Sequence, residues 1–206
     1  KLGEMGILGM VVPKEYGGSG YDTLSYSIAV EETSRVCGST GITVAAHNSL
    51  GVYPIYLFGN EEQKRKFIPD LASGRKLGSF GLTEPGAGSD SAGTKTTAVR
   101  DGDSYVINGG KCFITNASVG ETFVITAVTD KTKGYKGISS FILEKGMKGF
   151  SVGKKENKMG LRGSDTATLI FEDLRIPKEN LLGKEGEGFK QFMITLDGGR
   201  ISIGSM

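Results

Sequence analysis

The sequence predicts an α+β protein with an amino-terminal helical domain, an antiparallel β-barrel-like domain and the start of a carboxy-terminal helical domain. Near the amino terminus, Asn60 before an acidic Glu-Glu pair has the pattern of an N-cap, and it begins a helix that runs towards Leu71. After Lys76 short β-branched stretches alternate with turn dipeptides, and helical spacing returns beyond Gly188. The expected domains are residues 1–75, 76–185 and 186–206.

Two further helical segments are expected before Asn60. Apolar residues recur at helical spacing from Asp22 to Cys37, and Gly38 is the expected C-terminal stop. Residues 40–58 are small and apolar without clean alternation, which favours a buried helix interrupted near Gly51 and Pro54. The first 75 residues are therefore expected to be mostly helical.

The region after Lys76 has the pattern of successive hairpins. A strand over Lys95–Val99 is followed by the turn pair Asp101-Gly102, a second strand over Tyr105–Ile107 and another turn pair, Asn108-Gly109. Further strands are expected at Phe123–Val128, Ile138–Leu143 and Thr168–Phe171. The regular spacing, without a long helical stretch between them, predicts a closed or two-layered antiparallel sheet.

Composition and charge exclude several classes of function. The chain has 206 residues, with 25 Lys and Arg against 23 Asp and Glu, so no broad positive field is expected to bind nucleic acid. No run approaches the roughly 18 to 20 apolar residues of a membrane span. We therefore expect neither a nucleic-acid partner nor a transmembrane helix.

The cysteine and histidine content gives no metal or disulfide pattern. Cys37 and Cys112 are far apart in sequence and are expected to be packed thiols. His47 is the only histidine, which excludes a multi-histidine metal site and favours a packing or loop role. No metal ligands are predicted.

The segment from Phe80 to Asp90 is the richest in candidate chemistry. An apolar strand runs into Pro85-Gly86-Ala87-Gly88, whose glycines can take positive φ and expose successive N–H groups to an anion. The segment is not a dinucleotide fingerprint, because Ser91 stands where the third glycine would be, and it lacks the Gly-Lys-Ser/Thr of a P-loop. A plain glycine-rich β-turn is the alternative.

This segment resembles the first signature of the flavin-dependent acyl-CoA dehydrogenases, especially their short-chain, butyryl-CoA-like branch. Three later stretches are similar to family motifs and occur in family order, namely Lys111–Asn116, Lys158–Ser164 and Asp197–Arg200. Pro13–Gly18 and its surroundings also resemble the family's amino-terminal domain. The resemblance covers essentially the whole chain, which it implies is truncated at both ends.

The resemblance implies an FAD cofactor bound against the β-domain. Thr83 and Thr115 would donate hydrogen bonds to the flavin ring, and Phe113, where the family often has Trp, would cover one face. The alternative interpretation of Phe113 is an ordinary aromatic residue of the strand core. The implied flavin contacts are Phe80, Gly81, Leu82, Thr83, Glu84, Pro85, Gly86, Ala87, Gly88, Ser89, Phe113, Ile114 and Thr115.

Substrate contacts are also implied by the resemblance. Ser89 would meet the acyl-CoA, and Asp197, Gly198, Gly199 and Arg200 would recognise the CoA moiety. An intrahelical salt bridge between Asp197 and Arg200 is the alternative. The basic cluster of Lys154, Lys155, Lys158 and Arg162 is interpreted as a solvated strand and loop, to which no site is assigned.

No catalytic residue is assigned. The family's glutamate base lies far into a carboxy-terminal helical domain, and in a minority branch it precedes the Arg of D-x-x-R, a position that is Gly199 here. Glu84 is interpreted as a loop-structuring or solvated residue. The chain by itself is therefore expected to be inactive.

The implied activity of the parent enzyme is the 2,3-desaturation of a short-chain acyl-CoA in fatty acid β-oxidation. The implied partners are the acyl-CoA substrate and an electron-transferring flavoprotein. The implied assembly is a homotetramer, and the implied compartment is the bacterial cytoplasm or the mitochondrial matrix. The alternatives are an acyl-CoA oxidase, a branched-chain acyl-CoA dehydrogenase, or a non-catalytic β-barrel interaction module without flavin.

Overall fold

A computed structural model describes residues 1–206 and shows a helical layer followed by a sheet and a final helix. The helices are α1 (Thr23–Val36), α2 (Gly38–Ala46), α3 (Tyr53–Phe58), α4 (Glu61–Ala72) and α5 (Gly188–Gly204). The strands are β1 (Gly78–Gly81), β2 (Thr97–Asp101), β3 (Ser104–Thr115), β4 (Thr122–Val128), β5 (Ile138–Glu144), β6 (Phe150–Lys155), β7 (Thr166–Pro177) and β8 (Leu181–Leu182). None of the helices is both long enough and apolar enough to cross a membrane.

Local capping determines where two of the helices begin. The Asp22 carboxylate accepts the Ser25 N–H at 2.8 Å and so caps α1. At α4 the Asn60 side chain accepts the Gln63 N–H at 2.8 Å, and the Gln63 side chain accepts the Asn60 N–H at 3.1 Å. This reciprocal pair is a capping box, and it confirms the predicted helix start at Asn60.

The expected stop at Gly38 is wrong. Cys37 takes an extended conformation between the two helices, with φ of −154°, and Gly38 is the first residue of α2. The change of direction is therefore made one residue earlier, at a position that needs no left-handed backbone.

The predicted interruption between residues 40 and 58 is a π-helical segment. It covers His47–Val52 and joins α2 to α3. Gly51 within it lies against Gly78 of β1, where a Cβ on Gly51 would be 2.7 Å from the Gly78 carbonyl carbon. Only two glycines allow the helical layer and the first strand to approach this closely.

The sheet has eight strands in the order β6-β7-β3-β2-β4-β5-β8, and β1 pairs with β4. The β1 and β4 pair is parallel, and so is the bridge from β2 to β4, whereas the other pairs are antiparallel. The expected order of a helical domain, a mainly antiparallel β-domain and a further helix is confirmed, but the sheet is open, with ends at β6 and β8, so it resembles a barrel only loosely. Turn dipeptides in a sequence predict hairpins between consecutive strands. They do not predict a parallel pair such as β1 with β4, which are separated by two other strands.

The turn predicted at Asn108-Gly109 is also wrong. β3 continues through it, and the register against β7 shifts there as in a β-bulge, with Gly109 at φ of 135°. The Asn108 side chain exchanges hydrogen bonds with Asp173 on β7 instead of closing a hairpin. Gly109 is required because a Cβ there would lie 2.7 Å from the Thr96 hydroxyl.

The core consists of three hydrophobic clusters, two of which include strands of the sheet. One lies within the sheet and includes Phe123, Phe141, Leu169 and Phe171. The other joins the helical layer to the sheet, where residues of α3 and α4 pack with Val124 of β4. The helical layer is therefore fastened directly to the strand that pairs with β1.

Candidate functional site

A cleft of about 170 Å³ lies where β1, β3, the π-helical segment and α5 meet. It is lined by six residues of the two segments that the sequence analysis selected: Phe80, Leu82, Thr83, Phe113, Ile114 and Thr115. Leu50 and Leu196 complete the apolar wall from the helices, and neither was predicted. The signal for them is weak, since an apolar residue on a packed helix carries no mark of a site.

An irregularity in β3 turns Phe113 out of the sheet. The register against β7 shifts between Lys111 and Ile114, and Phe113 has φ of 58°, which is uncommon for a bulky residue. Its side chain is 65% exposed, whereas Lys111 is fully buried. Phe113 is therefore not a core aromatic, and its ring is available to a ligand in the cleft.

The loop after β1 differs from the anion-binding nest that its glycines suggested. Gly86 and Gly88 do not take positive φ. The turn is closed instead by two backbone hydrogen bonds of 3.0 Å, in which the N–H groups of Glu84 and Ala87 each donate to the other's carbonyl. The glycines serve a tight turn around Pro85, so the prediction of a positive-φ nest is wrong.

Glu84, the neighbour of the cleft residue Thr83, forms a buried ion pair with Lys111 of β3. Lys111 Nζ donates to Glu84 Oε1 at 2.8 Å, and the Lys111 and Glu84 side chains are 0% and 6% exposed. The carboxylate also accepts the backbone N–H groups of Lys95 at 2.7 Å and Thr96 at 3.1 Å. Glu84 structures the loop, and the alternative of a solvated side chain is wrong. The sequence signal was two opposite charges in mainly apolar, strand-like motifs.

Both members of this pair are charged near neutral pH. Desolvation lowers the pKa of Lys111 to about 8, and the attraction of Glu84 partly offsets that effect. Burial opposes the ionisation of Glu84, but the charge of Lys111 and the donated hydrogen bonds outweigh it and lower the pKa of this carboxyl. A carboxylate held in this way is a poor proton acceptor for a substrate.

His47 confirms the packing interpretation. Its Nδ1 accepts the Gly78 N–H at 2.9 Å, and its Nε2 donates to the Leu71 carbonyl at 3.0 Å. Complete burial lowers the pKa of the ring to about 4, so the histidine is neutral. The ring joins the end of α4 to the first residue of β1.

The two cysteines differ in exposure. Cys112 is buried in β3, as expected. Cys37 is exposed, which corrects the prediction of a packed thiol. Cys37 lies in the extended link between α1 and α2 and not on the packed face of either helix.

The residues selected for substrate do not line the cleft. Ser89 is exposed beyond the turn. Arg200 Nη1 lies 3.2 Å from Asp197 Oδ1 in an ion pair whose side chains are about two-thirds exposed, which is the alternative arrangement foreseen for them. Gly199 is buried against Leu50, and Gly198 lines a separate cavity of about 490 Å³ beside Tyr53.

The basic cluster is mostly at the surface. Lys154, Lys155 and Arg162 are exposed, in agreement with the solvated interpretation. Lys158 differs, because its Nζ donates to the Ser164 carbonyl at 2.7 Å and to the Thr166 hydroxyl at 2.8 Å. Lys158 therefore closes a loop instead of extending into solvent.

The residues around the cleft fit a flat heteroaromatic ring. Thr83 and Thr115 line the cleft, and their hydroxyls lack the internal hydrogen bonds that hold the Thr96 and Thr126 hydroxyls. An exposed Phe113 ring supplies a stacking surface beside them. The volume suits one part of such a ring system and is too small for a whole dinucleotide.

The family of the chain is shown by two matching family models. The model of the acyl-CoA dehydrogenase N-terminal domain matches residues 1–75, and that of the acyl-CoA dehydrogenase middle domain matches residues 79–174. The chain belongs to the acyl-CoA dehydrogenase family.

Several curated relatives of this chain are named short-chain specific members of the family. A short-chain specific acyl-CoA dehydrogenase of Clostridium acetobutylicum is 59% identical over 203 residues, which cover 98% of this chain and 54% of the relative. A mouse relative named short-chain specific acyl-CoA dehydrogenase, mitochondrial, is 52% identical over 205 residues, which cover 100% of this chain and 50% of that protein. The chain spans about half the length of these relatives.

Solved structures agree with the fold. Butyryl-CoA dehydrogenase from Megasphaera elsdenii has a TM-score of 0.97 at 49% identity, covering 99% of this chain and 54% of that one. A chain in a structure described as an electron transferring flavoprotein of Acidaminococcus fermentans has a TM-score of 0.97 at 58% identity, with the same coverage. An acyl-CoA dehydrogenase complexed with FAD from Bacillus anthracis has a TM-score of 0.93 at 47% identity, covering 99% of this chain and 35% of that one.

Proposed function

We propose that this chain is the flavin-binding part of an FAD-dependent acyl-CoA dehydrogenase, which introduces a 2,3-double bond into short-chain acyl-CoA thioesters, and that the chain alone lacks the general base for this reaction. The observation that carries the proposal is that the segment after β1 and the end of β3, which resemble the family's flavin-contact motifs, line one cleft. Two hydroxyls and an exposed aromatic ring are available there to a ligand. The names of the similar proteins support the short-chain substrate class.

The chain's own residues have defined tasks in this proposal. Thr83 and Thr115 donate hydrogen bonds to the ring heteroatoms of FAD, and Phe113 covers one ring face. Leu50 and Leu196 exclude water from the same edge of the cleft. When bound, FAD supplies the acceptor for the two electrons that leave the substrate.

Proton abstraction is not assigned to any of these residues. Gly199 has no side chain, and the Glu84 carboxylate is occupied by Lys111 and by two backbone donors. We infer that the general base is neither of these two positions. The exposed residues Ser89, Asp197 and Arg200 stay candidates for contacts with the CoA moiety.

The partner, assembly and compartment are further parts of the proposal. An electron-transferring flavoprotein is the proposed electron acceptor. This proposal is supported by the similarity of this chain to one chain of a structure that is described as an electron transferring flavoprotein. A homotetramer is proposed from the family resemblance alone. The proposed compartment is the bacterial cytoplasm or the mitochondrial matrix, supported by the sources and names of the relatives.

Titration of the purified chain with FAD, followed by flavin fluorescence, tests the proposal. We expect saturable but weak binding, because one small cleft provides few of the contacts that a dinucleotide needs. Absence of binding at high micromolar FAD would contradict the assignment of this cleft and would favour an interaction module without flavin.

A further inference from the structure

We propose that the buried Glu84–Lys111 pair is a positioning device that holds the two flavin-contact segments of the cleft in register with each other. The inference rests on the proposed function for its link to FAD. It concerns residues that do not line the cleft themselves but adjoin those that do.

The pair connects neighbours of the cleft residues on both sides. Lys111 Nζ donates to the Leu82 carbonyl at 3.2 Å as well as to the Glu84 carboxylate at 2.8 Å. Between these two contacts, the Cys112 N–H donates to the Thr83 carbonyl at 2.8 Å. Three consecutive loop residues are thus fastened to two consecutive residues of β3, so that Thr83 cannot move independently of that strand.

The same pair also binds the segment just before β2 and one residue of β4. The Glu84 carboxylate accepts the N–H groups of Lys95 and Thr96 just before β2, and Lys111 Nζ donates to the Thr126 hydroxyl of β4 at 3.1 Å. Desolvation largely cancels the attraction within a buried ion pair, so its net contribution to stability is small. The directional hydrogen bonds instead link four segments in one geometry, which suits a positioning role. These segments are the loop after β1, residues 95–96, β3 and β4.

The inward position of Lys111 also decides which residues of β3 face the cleft. A slip of one residue in a strand exchanges its two faces. Because Lys111 is anchored inside, the bulge that follows it leaves Phe113 exposed and Thr115 at the cleft. Without this anchor, the loop and the strand can each be folded while the two hydroxyls are misaligned.

Glu84→Gln and Lys111→Met test the inference, with Leu174→Ala as the control. Leu174 is buried in the sheet core and is not part of the cleft, so its truncation destabilises the fold without touching the pair. Two quantities are measured: amide hydrogen exchange without FAD, and FAD affinity at temperatures equally far below each variant's Tm. If either single variant fails to fold, the Glu84→Gln/Lys111→Met double variant replaces it, since it leaves no unpaired buried charge.

We expect the Lys95, Thr96 and Cys112 amides and the loop 82–87 to lose protection in the pair variants but not in the control. FAD affinity should fall at least about tenfold in the pair variants and stay within about twofold in the control. The absorption band of FAD bound at saturation should also shift only in the pair variants.

Unchanged loop exchange in the pair variants, or an equal loss of FAD affinity in the control, would overturn the positioning role. The exchange arm needs no ligand and decides the question even if the unaltered chain fails to bind FAD. That failure would count against the proposed function alone.

Discussion

The Nδ1 atom of His47 accepts the Gly78 N–H at 2.9 Å and thereby ties the π-helical segment to the first residue of β1. The hydrogen on this neutral ring is on Nε2, which donates to the Leu71 carbonyl. A single side chain thus satisfies two backbone groups at the point where helices and sheet meet.

Protonation of His47 is expected to destabilise the fold in acid. In the folded protein the pKa of His47 is about 4, below its ordinary value of 6.5. The contribution of the neutral ring to the free energy of unfolding is therefore complete above pH 6.5 and is lost as the pH falls from there towards 4. The full loss is about 3 kcal/mol of unfolding free energy. Urea unfolding at a series of pH values measures it, and His47→Gln should remove this part of the pH dependence. An identical pH slope in both proteins would contradict the assignment.

Loss of the Thr83 hydroxyl should weaken FAD binding. Thr83→Val removes one hydrogen-bond donor at nearly constant volume, so we expect a loss of roughly 1 kcal/mol, or about fivefold in Kd. Thr115→Val should have a similar effect. Thr97→Val, at a position outside the cleft, is the matched control in the same fluorescence titration. Equal affinity in all three variants would exclude both hydroxyls as ligands.

The contact between Gly51 and Gly78 should not tolerate a methyl group. Gly51→Ala would place a Cβ 2.7 Å from backbone atoms of β1, which forces the two layers apart and costs about 1 to 3 kcal/mol. The midpoint of thermal unfolding measures the change. Gly204→Ala is the control, since a Cβ there meets no atom within 4 Å. An unchanged Tm in Gly51→Ala would show that the layers can separate freely.

The FAD-loaded chain is expected to leave butyryl-CoA largely unreacted. General-base catalysis typically contributes about 10² to 10⁴-fold, and neither Gly199 nor the paired Glu84 can supply it. The measurement is an anaerobic mixture in which the oxidised flavin absorption should stay near its starting height. Rapid bleaching would reveal a base among the other residues. Bleaching gained by Gly199→Glu would show that α5 already presents this position to the flavin.

Features encoded within a few residues could be predicted from the sequence. The α4 start follows from Asn60 and its neighbours, because a capping box closes over four consecutive residues. The same is true of the turn at Asp101-Gly102, which joins β2 to β3. The segments Phe80–Asp90 and Lys111–Asn116 were selected because their sequences resemble the flavin-contact motifs of a known family.

Features that depend on distant partners could not be predicted in this way. Asn108-Gly109 has the composition of a hairpin turn, but pairing with Asp173 on β7 makes it a bulge. The partner of Glu84 is Lys111 on β3, and although both charges stand in mainly apolar motifs, the sequence does not specify that they pair with each other. Within the cleft, Leu50 and Leu196 are brought in by packing of the helices, which local patterns do not specify.

The parallel pairing of β1 with β4 has a consequence for the order of folding. Gly78 cannot meet Thr122 until the intervening chain, which includes the β2 and β3 hairpin, has been brought together. Contacts that close long loops form late, because their entropy cost precedes their gain. The loop with Thr83 would then be structured after the transition state, so that destabilising changes there accelerate unfolding and leave the refolding rate nearly unchanged.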